Sequence, residues 1–197
     1  MIVSHRLRCI FVHIQKTAGT SIEGVLRRYD SDTGSHLHAG RRHLHAREIR
    51  DVVPPDVWNG YFKFAFVRNP WERLVSWYSM CVQVPVPNGF CRYVRDNFPT
   101  FESFVMGATT GPGEKTTQAQ LDYVSDAHGT PIVDFVGRYE SLGADFAHVA
   151  RTLGLDATLP RANPSTHGSY RDYYTDTLRD VVAERYARDL AAFGYTF

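Results

Sequence analysis

Phe11-Val12-His13-Ile14-Gln15-Lys16-Thr17-Ala18-Gly19-Thr20-Ser21 runs from an apolar stretch into a polar turn that carries a cation, and out again into a helix start. Cys9 to Ile14 is the short, mostly apolar run of a strand buried on both faces. Gly19 lets the backbone bend and approach a ligand with no Cβ in the way. Thr20 or Ser21 is placed to cap the helix that follows, whose apolar positions Ile22, Val25 and Leu26 fit one buried face. Such a turn aims backbone N–H groups and the helix dipole at an anion, and Lys16 adds a mobile ammonium. It is not a Walker A loop, because its lysine precedes the only glycine.

A second turn has the same form. Phe64-Ala65-Phe66-Val67-Arg68-Asn69-Pro70-Trp71-Glu72-Arg73-Leu74-Val75-Ser76 follows a strand-like run beginning at Phe62. Pro70 suits a first helical position, Asn69 an N-cap, and Trp71, Leu74, Val75 and Tyr78 an apolar helix face. Arg68 stands at a strand end, the ligand edge of an open α/β sheet. A magnesium-dependent phosphoryl transferase would place an Asp near such a position. Arg68 and Ser76 instead favour phosphate oxygens. Two anion turns imply a ligand with phosphates at both ends.

With both turns in view, the chain resembles the sulfotransferases that use 3′-phosphoadenosine 5′-phosphosulfate (PAPS). Lys16-Thr17-Ala18-Gly19-Thr20-Ser21 is similar to their 5′-phosphosulfate loop, and Arg68-Asn69-Pro70-x-x-Arg73-x-x-Ser76 to their 3′-phosphate motif. The likeness is greatest to the carbohydrate branch, with its uronyl 2-O- and chondroitin-type enzymes and their bacterial relatives. It continues through His43 to Ile49, Asp134 to Glu140, Tyr173-Tyr174 and Ala183 to Asp189, and so spans nearly the whole chain. The resemblance implies that Lys16 contacts the sulfate-bridging region and that Thr17, Ala18, Gly19, Thr20 and Ser21 wrap the 5′-phosphate. It implies that Arg68 and Ser76 hold the 3′-phosphate of PAPS. In-line sulfuryl transfer to a hydroxyl then needs a base and stabilisation of the leaving oxygen, and this scheme requires no metal.

His is the usual base near neutral pH. The stretch Gly34 to His45 holds four of the nine histidines. By the resemblance His43 is the expected base, with His45 a substrate contact or alternate base. Glu23 on the first helix is the carboxylate alternative. Zinc held by His43 and His45 is disfavoured, because no cysteine or spaced carboxylate completes a ligand set.

The expected architecture is α/β: one sulfotransferase domain over 1–197, a three-layer, mostly parallel sheet with helices on both faces, similar to P-loop nucleotide-binding folds. Strands are predicted near Ile10, Phe62 and Ile132–Val136. Helices are predicted from Thr20, Ala46 and Trp71, over Ala144–Leu153, and as one long terminal helix from Thr177. The segment from Cys81 to Thr117 reads as irregular, with Thr100 capping a short helix through Met106, and as the place where acceptor choice is set. There Arg92, Arg95 and Lys115, with Arg41 and Arg42 elsewhere, are candidates to meet an acidic sugar. Arg161 to His167 resembles a loop closing near the nucleotide. Among Tyr170, Tyr173 and Tyr174, adenine stacking and buried packing compete.

The net charge of +1 carries no sign of nucleic acid or a membrane surface, and no run is long and apolar enough to span a bilayer. Reaching the donor loop by Lys16 points to a bacterial cytoplasmic enzyme rather than a trimmed Golgi domain. Three cysteines without repeated spacing read as thiols, with a Cys81–Cys91 bridge only in an oxidising compartment. The expected partner is a hydroxyl-bearing acceptor, a saccharide or glycoconjugate. An atypical nucleotide kinase and a catalytically silent nucleotide-binding module are the alternative readings.

Overall fold

The structure, a computed structural model, describes residues 1–30, 42–108, 118–159 and 168–197. In chain order its first half contains β1 (Ile2–Ser4), β2 (Cys9–Val12), α1 (Gly19–Tyr29), α2 (Ala46–Val52), α3 (Pro55–Gly60), β3 (Phe62–Val67) and α4 (Pro70–Gln83). There follow α5 (Gly89–Asn97), α6 (Phe101–Ser103) with a π-helical turn Phe104–Ala108, α7 (Gln120–Val124), β4 (Phe135–Arg138), α8 (Leu142–Thr152), α9 (Asp176–Arg185) and α10 (Ala187–Phe193). The chain divides into two compact units, Met1–Arg68 with Gln120–Ala162, and Asn69–Ala119 with Asn163–Phe197.

The first unit is a mixed four-stranded sheet in the order β1-β2-β3-β4 with helices. β2 pairs with β3 and β3 with β4 in parallel, while β1 lies antiparallel on β2. Cys9, Phe11, Phe64 and Phe66 alternate onto one face, where Ile22, Val25 and Leu26 of α1 and Phe146, Val149 and Ala150 of α8 complete a buried cluster. Ile10, Val12, Ala65 and Val67 point the other way and are fully buried too. Lys63 shares that second face and donates to the Trp58 carbonyl of α3 at 3.2 Å. Burial on both faces explains why β2 and β3 read as continuous apolar runs rather than alternating ones. The parallel register carries the C-terminal ends of β2, β3 and β4 to one edge of the sheet, and the turn after β2, Arg68 and Tyr139 all follow from it.

The second unit is helical. Asn69 caps α4, its side chain accepting from the Trp71 N–H at 3.0 Å, and Pro70 takes the first position, as predicted. Trp71, Leu74, Val75 and Cys81 of α4 pack in one core with Cys91 and Val94 of α5, Phe101, Phe104 and Leu178, Val182 and Tyr186 near the C-terminus. The expectation of an irregular stretch over Cys81 to Thr117 is corrected for its described part, up to Ala108: Asn88 caps α5 by accepting from Cys91 N–H at 2.8 Å, Gly89 opens that helix, and Pro85 and Pro87 mark only the linker before it. Thr100 does cap the short helix after it, accepting from Ser103 N–H at 3.1 Å. The long terminal helix is also corrected, since it breaks at Tyr186 (φ −106°, ψ 21°) into α9 and α10. The third predicted strand begins at Phe135 rather than Ile132.

Candidate active site

The turn after β2 takes its shape from two residues in the left-handed region, Lys16 at φ 68° and Ala18 at φ 66°. Residues other than glycine occupy that region rarely and at a cost of about 1 kcal/mol or more each. The turn is therefore held against local preference, as anion-binding nests and functional loops are. Thr17 is fully buried and its hydroxyl donates to the Ile14 carbonyl at 2.9 Å, which closes the turn on itself. Ala18 is the N-cap of α1 and no side chain caps the helix, so the expectation that Thr20 or Ser21 does so is corrected. Both lie in the first turn of the helix instead.

Gly19 also has a different reason from the expected one. It is not the residue with positive φ. A Cβ there would lie 1.9 Å from His13 Nε2, so only glycine lets the imidazole rest against the helix start. His13 itself, which the sequence reading passed over as part of a strand, is 4% exposed. Its Nδ1 lies 2.8 Å from Glu23 Oε1, and Arg42 donates to Glu23 Oε2 at 2.6 Å. Burial would raise the Glu23 carboxyl, but the hydrogen bonds from His13 and Arg42 outweigh it and hold it at about 2. Burial lowers His13, and the Glu23 hydrogen bond does not fully offset it. The pair is thus a carboxylate and a neutral imidazole that donates through Nδ1.

His43 sits beside it. Its Nδ1 is 2.8 Å from the His13 carbonyl oxygen and its ring meets the His13 ring edge-on, centroids 4.6 Å apart. A carbonyl can only accept, so Nδ1 carries the proton and Nε2 keeps the lone pair. Burial, reinforced by the nearby Arg42 charge, lowers His43 to about 4, which leaves it unprotonated at neutral pH. His45 is at the N-cap of α2, where its N–H donates to Glu48 Oε2 at 2.7 Å in a capping box. It is 6% exposed, and its ring lies against Tyr123 at 4.4 Å. Tyr123 in turn donates to Gln15 Oε1 at 2.9 Å, just before the turn.

Arg68 is 3% exposed and reaches the first turn directly: its guanidinium donates to the Lys16 carbonyl at 3.3 Å and stacks 3.9 Å over the Tyr139 ring. Gln120 clamps the Arg68 backbone, accepting from its N–H at 2.9 Å and donating to its carbonyl at 2.7 Å. The two turns singled out in the sequence therefore meet at one edge of the sheet. Lys16, Thr17, Ala18, Gly19, Thr20, Ser21, His43, His45 and Arg68 all belong to this first unit.

The model of the sulfotransferase family matches residues 1–196. The chain belongs to that family. This sulfotransferase is also 29% identical over 135 residues to an uncharacterized protein of Archaeoglobus fulgidus, a stretch covering 62% of this chain and 93% of that one.

Ser76 of the sulfotransferase lies in the second unit, on α4, and is 2% exposed. Arg73 of the same helix is also buried and donates to the Gln118 carbonyl at 3.2 Å. Arg95 is occupied by the end of α4, donating to the Cys81 carbonyl at 2.6 Å, and Arg42 by Glu23, so packing and pairing account for both. Tyr173 and Tyr174 pack edge-on against Phe101, and Tyr174 donates to the Trp71 carbonyl at 2.9 Å. Arg41, Lys115, Arg161 to His167, His36 and His38 lie outside the described residues. All three cysteines are free and buried, with the Cys81 and Cys91 sulfurs 2.6 Å apart. No helix among the described residues is long and apolar enough to cross a membrane.

Proposed function

We propose that this sulfotransferase moves a sulfuryl group from PAPS to a hydroxyl of a saccharide or glycoconjugate, using a P-loop-like turn for the donor and no metal. The observation that carries the reading is the meeting of the two anion turns, Arg68 on the carbonyl of Lys16 at 3.3 Å. A donor with phosphates at the 5′ and 3′ positions matches two cationic turns better than ATP does, and no Asp stands at the end of β3 to hold magnesium.

In this reading the N–H groups that open α1 and the Lys16 ammonium take the 5′-phosphosulfate and stabilise the leaving oxygen as it gains charge. Arg68 and Ser76 take the 3′-phosphate. His43 is the base: its Nδ1–H is fixed on the His13 carbonyl, and Nε2 receives the acceptor proton as the sulfuryl group transfers in line. His45 remains the second candidate for an acceptor contact.

Calorimetric binding of adenosine 3′,5′-bisphosphate, set against AMP and against ATP with magnesium, tests the donor assignment. Loss of the 3′-phosphate should cost about 10- to 150-fold in affinity, or ~1.5–3 kcal/mol. Equal binding of AMP, or preference for magnesium ATP, would overturn the reading and favour phosphoryl transfer. With donor binding established, His43→Ala should lower kcat about 10²- to 10⁴-fold and leave bisphosphate affinity nearly unchanged. A loss confined to affinity would remove the base from His43.

A further inference from the structure

His13 is used in the site above only through its backbone carbonyl, yet its side chain is the one aimed at the donor turn. The ring is 4% exposed and Glu23 grips it by Nδ1 at 2.8 Å. Nε2 therefore projects the other way, against the first residue of α1, where a Cβ would sit 1.9 Å from it. Among the described residues, Glu23 is the hydrogen-bond partner of the ring, and none engages Nε2. Helix α1 is 11 residues long and opens without a side-chain cap, and Nε2 lies against its first residue, Gly19. An oriented imidazole nitrogen and an uncapped helix start thus lie side by side.

We infer that His13 is a further donor-contacting residue: its Nε2 hydrogen-bonds the anionic group seated on the first turn of α1, with the proton for that bond taken up from solvent. The inference rests on the anionic donor proposed above. Without an anion the proton is disfavoured. The ring is buried, and the Met1 amino group and Arg42 oppose its charge; Glu23 alone favours it. An arriving sulfate or phosphate oxygen reverses that balance, because a lone pair facing an anion repels it while an N–H attracts it. Glu23 then holds the other end of the imidazolium. Arg42, paired with Glu23, offsets a carboxylate that would otherwise repel the same anion.

The test is the pH titration of the His13 imidazole by NMR on histidine-labelled protein, with the resonance assigned from His13→Asn. It is run on the protein alone, with saturating adenosine 3′,5′-bisphosphate, and with inorganic sulfate. The expected result is a His13 titration moved up by about 1 pH unit or more with either anion. His13→Asn should also bind the bisphosphate roughly 10-fold more weakly. Where His13→Asn does not fold, Glu23→Gln serves, and its anion-bound titration should fall because the imidazolium loses its counter-charge. A titration unmoved by bound bisphosphate, or wild-type affinity in His13→Asn, overturns the inference. Failure of the bisphosphate to bind overturns the donor reading instead, and the sulfate titration then decides the role of His13.

Discussion

At Gly19 a hydrogen is all that fits between the helix and the His13 imidazole. Replacing Gly by Ala inside a helix ordinarily gains about 1 kcal/mol. Forcing a methyl into a space 1.9 Å from a ring atom costs about 1–3 kcal/mol, and the ring is pinned by Glu23 and cannot simply swing away. Gly19→Ala is therefore expected to lower stability in urea denaturation and to weaken bisphosphate binding. A variant as stable as the parent would show that the ring leaves the helix start freely. The same residue marks what could and could not be read beforehand. A glycine in the turn was legible, but its reason was not, because the backbone there is ordinary and the constraint comes from a side chain six positions earlier. His13 itself was hidden by its neighbours: among Phe11, Val12 and Ile14 it scans as strand. The available signal was a polar residue at the C-terminal end of a buried parallel strand, ahead of the turn lysine.

Elements whose ends carry their own chemistry were the ones the sequence specified best. Asn69-Pro70 announces α4 and the structure confirms both roles, since the cap and the fixed φ act within a few residues. By contrast, β1 has three residues and is a strand only because β2 offers its free edge. α5 was obscured by the Pro residues of the linker before it and by Gly89 at its start. The break at Tyr186 cannot be anticipated from an unbroken apolar stripe, since Leu178, Val182, Tyr186 and Leu190 keep their spacing through it. Gln120 belongs at this scale too, because its amide bonds both the N–H and the carbonyl of Arg68 just past the end of β3. Gln120→Ala would remove both of these buried hydrogen bonds, at a cost of about 1–3 kcal/mol. Denaturation of the variant, with bisphosphate affinity read alongside, checks this. A loss of binding with stability intact would mean that the clamp only aims the arginine.

Across the whole chain, stability should follow pH in a way set by the buried site rather than by the near-zero net charge. His43 is lowered from 6.5 to about 4 in the folded state, and His13 is lowered as well. Between those limits the unfolded chain binds more protons at these rings, so their contribution to stability rises with pH through that window and is complete above about 6.5. Burial lowers the Met1 amino group from 8.0 to about 5, so its contribution goes on rising to about 8. Glu23 is lowered from 4.5 to about 2, so its contribution is present above 4.5 and is lost as pH falls toward 2. Together they predict that denaturation midpoints decline from just below pH 8 and go on declining into strong acid. His43→Ala should flatten that curve between about 4 and 6.5, and an unchanged slope there would assign it to other groups.

The contact between Arg68 and Gln120 has a consequence for how this protein can change over evolutionary time. The polypeptide leaves the first unit at one of these residues and re-enters it at the other, and the Gln120 side-chain amide is bonded to the Arg68 backbone at 2.9 and 2.7 Å. A detour that starts and finishes at a single latch presents the same geometry to the sheet whatever its length, and lengthening it costs only a slowly growing entropy. The intervening stretch can thus change length by descent in the links between its helices while the strand ends of the first unit stay put. A lineage with this latch can vary its second unit without having to rebuild the sheet of its first.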